Sequence, residues 1–232
     1  MNQIKGGLYT MYLSCKRDFY IFTAINSFFL ILTLVMGALI PDIKIFTIGV
    51  IVVVIFTFII AMKLLDRSLA ILLRYGLNRS RYLAVAGAFM LLWSLAHAAV
   101  LLILNSIMMA ITKQFEITSV IIPRLTMLYD DSLSLLVNYM MDTAFIFMIA
   151  MVGMLINAVF YRFGSIGGYS FSGLLLAIIF IGFPLNWFSS LLDVILSWNA
   201  ALFISVIVGT AALVLTAIWL LTRRISTISA NI

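Results

Sequence analysis

Long runs of apolar residues follow one another along this chain, separated by short segments that contain most of its charges. The runs predict membrane-spanning helices over about residues 19–40, 43–62, 83–111, 137–161, 169–187 and 198–222. About 20 apolar residues are enough for a helix to cross a bilayer. The runs are apolar on every face, unlike the short alternating strands of a membrane β-barrel. We therefore predict an all-α, polytopic membrane protein with six spans, in which residues 1–232 form a single transmembrane domain.

The segment before the first run has a helical pattern of its own. Residues 1–18 repeat apolar side chains at helical spacing, with Leu8, Met11, Tyr12 and Cys15 on one face. This spacing predicts an interfacial helix along the inner membrane surface; an unstructured leader is the alternative. Cys15 is the single cysteine, so no internal disulfide is possible, and we expect either an inert thiol or a juxtamembrane palmitoylation site.

Composition supports the membrane assignment. Hydrophobic residues make up 65% of the chain and charged residues 9%, which is too little polar surface to coat a soluble globule. The net charge of +6 does not indicate nucleic-acid binding. The basic residues stand at the ends of the predicted spans, where they meet anionic head groups.

The charges predict the orientation. With six spans both termini lie on one side, and that side has 11 of the 14 basic residues: Lys5, Lys16, Arg17, Lys63, Arg67, Arg74, Arg79, Arg81, Arg162, Arg223 and Arg224. The other side has Lys44, Lys113, Arg124 and the acidic residues Asp42, Glu116, Asp130, Asp131, Asp142 and Asp193. By the positive-inside rule the basic side is cytoplasmic. We expect a multi-pass protein of a bacterial cell membrane with both termini in the cytoplasm.

The polar segment between spans 2 and 3 is the most patterned one. On a helical projection its leucines share one face, and Arg67 and Arg74 share the opposite face. The leucines are Leu65, Leu69, Leu72 and Leu73. Gly76 follows as a helix stop. This pattern predicts a short amphipathic cytoplasmic helix over 65–75 that docks to a partner; a helix resting on lipid is the alternative.

The order of these segments resembles the permease subunit of a type-2 ABC exporter, a small six-span half-transporter. The shared features are the interfacial helix, the first span, a tight external turn at 41–44, the second span, the amphipathic helix and the turn at 75–81, Tyr-Gly-Leu-Asn-Arg-Ser-Arg. The resemblance implies that 65–75 is the coupling helix, seated on a cytoplasmic ATPase. It implies that Leu65, Arg67, Leu69, Leu72, Leu73 and Arg74 make that contact.

The resemblance also implies a second permease copy or a paralogue, with spans 2 and 5 of the two halves facing each other. The candidate transport path or dimer seam has two parts. On span 2 it is the apolar stripe of Gly49, Val53, Phe56 and Ile60. On span 5 it is the small residues Ser170, Ser172 and Gly173. Contact of both faces with lipid is the alternative.

No residue pattern in the chain predicts catalysis. It has no phosphate-binding loop of the G-x-x-x-x-G-K-[ST] kind, so we expect no ATP site, no enzymatic activity and no cofactor in this chain. ATP and Mg would be bound by the partner ATPase. The single histidine, His97, excludes an HExxH metal site. His97 predicts either a hydrogen-bonded helix contact or a proton-linked or substrate-contacting role.

Two polar features near the outer side remain open. Asp142, early in span 4, faces either protein or the outer interface. After span 5, Pro184, Asn186 and Trp187 interrupt the apolar run. This interruption predicts a short re-entrant or interfacial helix, with a tryptophan-anchored turn as the alternative.

From these features we expect the permease subunit of an ATP-driven exporter. The apolar spans favour a hydrophobic or amphipathic cargo, such as an antimicrobial peptide, a lipid or a drug. The alternatives are a non-catalytic membrane immunity, sensor or scaffold protein, and an energy-independent carrier or ECF-type substrate-binding subunit.

Overall fold

The structure, a computed structural model, describes residues 3–40, 43–123 and 134–223. In these residues it contains six helices: α1 (Gln3–Leu39), α2 (Gly49–Arg74), α3 (Arg79–Gln114), α4 (Leu135–Gly182), α5 (Trp187–Leu196) and α6 (Ala200–Thr222). All except α5 are long and apolar enough to cross a membrane. The predicted all-α class is therefore confirmed, and the chain is a multi-pass helical membrane protein by the length and composition of its helices.

The first helix differs from its prediction. Residues 3–18, predicted as a separate interfacial helix, and the predicted first span form one continuous 37-residue helix. No proline or glycine lies between Leu8 and Met36, so nothing in this stretch breaks the backbone hydrogen bonds. The junction is also held from outside, because Arg67 of α2 donates a hydrogen bond to the Asp18 carboxylate at 2.9 Å.

The second span begins later than predicted. It was expected from residue 43 after a tight turn at 41–44, whereas α2 begins at Gly49. Residues 43–48 are not helical, and β1 (Ile45–Phe46) pairs in parallel with β2 (Val120–Ile121). The β-branched and aromatic residues at 45–47 favour an extended backbone. The carbonyls of Ser119 and Ile121 accept hydrogen bonds from the amides of Ile45 and Thr47 at 2.7 and 3.0 Å. Pro41 and Asp42 lie outside the described residues.

Helix α4 contains a sharp break at Gly164. Its 48 residues would form a straight rod of about 72 Å, more than twice the hydrocarbon thickness of a bilayer. Gly164 has φ 69° and ψ −171°, a conformation that is essentially restricted to glycine. The rings of Phe160 and Tyr169 lie 5.3 Å apart, whereas a straight helix would separate these positions by about 13 Å. The predicted boundary between spans 4 and 5 therefore corresponds to a bend within α4.

The residues after this bend return across the bundle. At one end, Arg162 donates hydrogen bonds to the carbonyls of Leu220 and Leu221 at 3.2 and 3.1 Å. At the other end, Phe203 and Ile207 near the start of α6 pack against Met141 and Ala144 of α4. Residues 135–163 and α6 thus run in the same direction. The chain between 164 and 200 must travel back from one end to the other.

A short helix completes this return. Asn186 adopts a left-handed conformation with φ 54°, and α5 follows it as a helix of ten residues. A short helix therefore follows the Pro184 interruption, as predicted; its re-entrant or interfacial place in the membrane stays a prediction. Asn186 uses its backbone to make the turn, and its side chain makes no capping hydrogen bond.

One end of the bundle holds both termini of the described chain, and both contact the start of α3. Arg81 at the start of α3 donates a hydrogen bond to Gln3 at the start of α1, at 2.5 Å. Arg79 donates to the carbonyl of Thr222, the last residue of α6, at 3.2 Å. We call this the basic end. It contains the α2–α3 connection, the Gly164 bend and both ends of the described chain.

Replacing Gly164 with alanine should destabilise the protein by about 1–3 kcal/mol, because the new side chain would force a backbone conformation that only glycine adopts readily. A Cβ at this position meets no atom within 4 Å, so the effect should come from the backbone and not from a clash. Gly173→Ala is the matched control, since Gly173 also has open space around it but lies in a regular helix. The measurement is the thermal unfolding temperature of the detergent-solubilised protein. Equal midpoints for the two variants would contradict the role of Gly164.

Candidate functional site

The connection between α2 and α3 is a tight corner of four residues, 75–78. The amide of Gly76 donates to the carbonyl of Leu73, and the amide of Leu77 donates to that of Leu72. Gly76 has φ 82°, the left-handed conformation that commonly ends a helix. Asn78 then caps α3, its side-chain oxygen accepting a 2.8 Å hydrogen bond from the amide of Arg81. Hydrogen bonds from Tyr75, Gly76 and Leu77 close the end of α2, and the Asn78 cap opens α3, so the corner is held on both sides.

The predicted coupling helix is not a separate element. Residues 65–74 are the last turns of α2, continuous with the second span. Leu65, Leu69 and Leu72 are buried in the protein's own core, and Leu73 packs against that core from its edge. Their neighbours include Met11 and Cys15 of α1 and residues of α3 and α4. The predicted docking face is therefore an internal packing face, because the long N-terminal part of α1 covers it.

A buried hydrogen bond joins α2 to α3 next to the corner. The hydroxyl groups of Ser68 and Tyr82 lie 2.9 Å apart, and Ser68 also donates to the carbonyl of Leu64 at 2.6 Å. Both side chains are fully buried. Buried polar groups need such partners, and a pair between two helices prevents them from sliding past each other. The corner is thus anchored by apolar packing and by a directional bond.

The two predicted coupling arginines have different surroundings. Arg67 is paired with Asp18 of the same chain at 2.9 Å, so part of its guanidinium is engaged within the chain, and its role toward an ATPase stays a prediction. Arg74 is exposed, in the last turn of α2. Beside it Tyr75 is 73% exposed, the most prominent aromatic side chain of the corner. We call Arg74, Tyr75 and Arg81 the corner tip.

Tyr75 lies inside the predicted coupling helix, 65–75, but is not among the residues predicted to make the contact. The signal was present, since an aromatic residue directly before a helix-stopping glycine stands at the helix end, where core packing is least available. The predicted contact relied on the leucine pattern instead. A helical projection identifies an apolar face but does not say which side chains cover that face.

The predicted seam is not assembled within one chain. Gly49, Val53 and Ile60 of the span 2 stripe are buried against other helices of the same chain. Phe56 stacks on Phe22 of α1, with ring centroids 3.8 Å apart and planes at 2°. Gly49, Val53 and Ile60 therefore face the interior, whereas Phe56 is half-buried and reaches the surface between α1 and α2. An apolar stripe can pack against a second copy or against a neighbouring helix of the same chain. Here α1 and α3 pack against it.

The span 5 residues have the opposite environment. Ser170 and Gly173 are exposed and Ser172 is half-buried, and a Cβ added at Gly173 would meet nothing within 4 Å. Around them, the second part of α4 (165–182) exposes large apolar side chains on several faces: Leu174, Leu176, Ile178, Ile179, Phe180 and Ile181. Only two residues of this segment, Gly168 and Gly182, are buried. The two halves of the predicted seam are therefore not brought together by this chain.

His97 lies in an aromatic cluster where α1, α2 and α3 meet. Its Nδ1 is 3.2 Å from the carbonyl of Trp93 in its own helix, and its ring lies 4.6 Å from Phe19 and 4.8 Å from Trp93. Its Nε2 is buried and has no hydrogen-bond partner among the described residues. The histidine bonds within its helix and packs between helices, so the predicted interhelical hydrogen bond is not found.

The remaining polar candidates are buried. Asp142 is buried in the bundle and does not lie at an exposed interface. Asn157 of α4, also buried, donates a hydrogen bond to Asp66 of α2 at 3.3 Å and so joins the two helices. No group of three or more metal-ligating side chains occurs in residues 3–40, 43–123 and 134–223. Comparisons of the chain with protein families, with curated proteins and with solved structures find no match.

If the leucine face anchors the corner, its loss should unfold the protein and not merely weaken a contact with a partner. Leu72→Ala should lower the free energy of unfolding by about 2–5 kcal/mol, because the side chain is 1% exposed in the core. Ile71→Ala is the matched control, since its neighbour Ile71 is 42% exposed. Thermal unfolding in detergent measures both. A Leu72→Ala protein as stable as the Ile71→Ala protein would show that the face is not an internal one.

Proposed function

We propose that this chain is the permease subunit of an ATP-driven exporter of the type-2 ABC class. Two copies, or one copy and a paralogue, would stand on two cytoplasmic ATPase subunits that bind ATP and Mg. The chain itself would have no catalytic role. The observation that carries the proposal is the α2–α3 corner, a rigid projection whose exposed tip is basic and aromatic.

The corner has the mechanical properties that coupling requires. A partner that pulls on Tyr75 pulls on the end of α2, which continues without a break to Gly49. The buried leucines and the Ser68–Tyr82 bond join this end to α1 and α3. A displacement at the tip would therefore move three helices together. In the revised proposal the leucines transmit the movement, and Arg74, Tyr75 and Arg81 contact the ATPase.

The proposed topology has six spans. The chain between 164 and 200 has to return across the bundle, which supports a fifth crossing by residues 165–182 together with the segment that follows. Both ends of the described chain then lie on the side of the α2–α3 corner. The described basic residues are concentrated at that end, so the positive-inside rule makes it the cytoplasmic side.

The uncovered part of α4 supports a second permease copy. Helix 165–182 is exposed on most of its surface, although the rest of α4 is the best-packed helix of the bundle. A second chain packed here would enclose Ser170, Ser172 and Gly173 between the two halves, and small residues allow helices to approach closely. We propose that the path for a hydrophobic or amphipathic cargo, such as a peptide, lipid or drug, runs along this helix. The span 2 stripe is no longer part of it.

The orientation can be tested with single cysteines at the two ends of the bundle. Tyr75→Cys and Phe115→Cys, each in a Cys15→Ala background, place exposed thiols at helix ends, at the basic end and at the opposite end. In intact cells a membrane-impermeant maleimide should label the Phe115→Cys protein only, and permeabilised cells should show both labelled. Labelling of the Tyr75→Cys protein in intact cells would overturn the proposed topology.

The coupling role can be tested with the same two positions. Tyr75→Ala should weaken the association with the ATPase by about 30-fold or more, because an aromatic anchor in an interface typically contributes 2 kcal/mol or more. Phe115→Ala is the matched control, since Phe115 is 71% exposed and also caps a helix, but at the opposite end. The measurement is co-purification of the ATPase with tagged permease, together with the unfolding midpoint of each variant.

Two outcomes would contradict the proposal. One is that no ATPase accompanies the intact protein from its native membrane, which would favour a non-catalytic membrane scaffold. The other is that an ATPase is retained equally by the Tyr75→Ala and Phe115→Ala proteins, which would place its contact away from the corner.

A further inference from the structure

A groove runs between α1 and α2 on the outside of the bundle. It has a volume of about 320 Å³, within the range of small-molecule sites. Its walls are the exposed side chains of Ile21 and Ile25 of α1 and Ile59 of α2. Its floor is the stacked pair of Phe22 and Phe56. The groove is therefore built from rigid helices and presents an apolar surface to whatever surrounds the protein.

Charged side chains are found at one end of this groove only. Lys63 and Arg67 lie one turn apart on the same face of α2, and Asp18 of α1 lies opposite them. Arg67 donates through Nη1 to the Asp18 carboxylate, and Lys63 has no ion-pair partner among the described residues. The neighbouring Asp66 accepts a hydrogen bond from Asn157 of α4, away from the groove. Two cations thus face one carboxylate, and the mouth of the groove has an excess positive charge.

The spacing of these features matches one end of a phospholipid. From Asp18 to Ile25 the groove extends over about 10 Å of helix, with all its charges at the first turn. Lys63 follows directly after the apolar run that ends at Met62, so it stands where the hydrocarbon gives way to head groups. Basic pockets between membrane helices on the cytoplasmic side are suited to anionic head groups.

We propose that the α1–α2 groove binds an anionic phospholipid, whose phosphate contacts Lys63 and Arg67 and whose acyl chain lies against the isoleucines. The occupant is a lipid because the groove joins a positive mouth to an apolar wall, and a free anion would use only the mouth. This inference requires that the chain lies in a membrane, and it is independent of transport.

Asp18 gives the proposal a second, opposite test. The Asp18 carboxylate forms an ion pair with Nη1 of Arg67, so this nitrogen is not free for a phosphate. Its negative charge also repels the phosphate of a lipid. Removing this charge should therefore strengthen the binding of an anionic lipid, whereas removing Lys63 should weaken it. A purely structural role for the Asp18–Arg67 pair would give no such increase.

The experiment uses the full-length protein in neutral detergent and titrates it with phosphatidylglycerol or with phosphatidylcholine of the same acyl chains. The readouts are the number of retained lipids by native mass spectrometry and the rise in unfolding temperature, since a ligand that binds the folded state stabilises it. Phosphatidylglycerol should be retained preferentially. Lys63→Gln should weaken its binding about fivefold, the factor that corresponds to about 1 kcal/mol for one lysine beside anionic lipid.

The variants are arranged so that each result supports or overturns the proposal. Lys63→Arg should retain binding, Asp18→Asn should increase it, and Lys113→Gln, an exposed lysine at the opposite end, should leave it unchanged. Equal stabilisation by the two lipids would overturn the proposal. So would an equal loss in the Lys63→Gln and Lys113→Gln proteins, which would indicate general charge attraction. Stabilisation by inorganic phosphate as large as that by phosphatidylglycerol would reduce the site to an anion site without a lipid.

Discussion

The structure of this protein is governed by the need to pair every backbone amide and carbonyl inside a medium that offers no water. Within the hydrocarbon region only continuous helices meet this need, so the chain places its breaks at the ends of the bundle. The corner at 75–78 and the bend at Gly164 both lie at the basic end, and the extended residues of β1 and β2 lie at the other. The hydrogen bonds at these breaks come from local caps and from the short ladder between two loops.

This constraint makes the helices long, and the length of a helix determines which faces of its neighbours it covers. Because α1 continues from Gln3 to Leu39 without a break, its first turns lie beside the end of α2 and cover the leucine face there. The same contact brings Asp18 to Arg67. A face that would suit a partner protein becomes part of the core, and the exposed corner tip is left as the surface that a partner can reach. The groove beside Phe22 and Phe56 results from the same packing of α1 on α2.

Packing is uneven along α4. Before Gly164 the helix is surrounded by α2, α3 and α6, and after it the helix is largely uncovered. In a bilayer an uncovered apolar helix is stable, because lipid tails are as apolar as leucine. Such a helix is also free to pack against a second chain without first giving up contacts in its own. The bundle thus combines a rigid part, connected to the corner, with a part that is available for assembly.

The class of fold could be predicted from the sequence, because a run of about 20 apolar residues has few alternatives to a membrane helix. Gly76 and Pro184 also marked real helix ends, since capping and breaking act within a few residues. The surroundings of the candidate segment could not be predicted: Leu69 is buried in the chain's own core, and Arg67 is paired with Asp18. Whether an apolar face meets a partner, lipid or its own chain depends on residues such as Met11 and Asp18, which are about 50 positions away in the sequence. Those long-range contacts form only when the helices pack, so no local pattern encodes them.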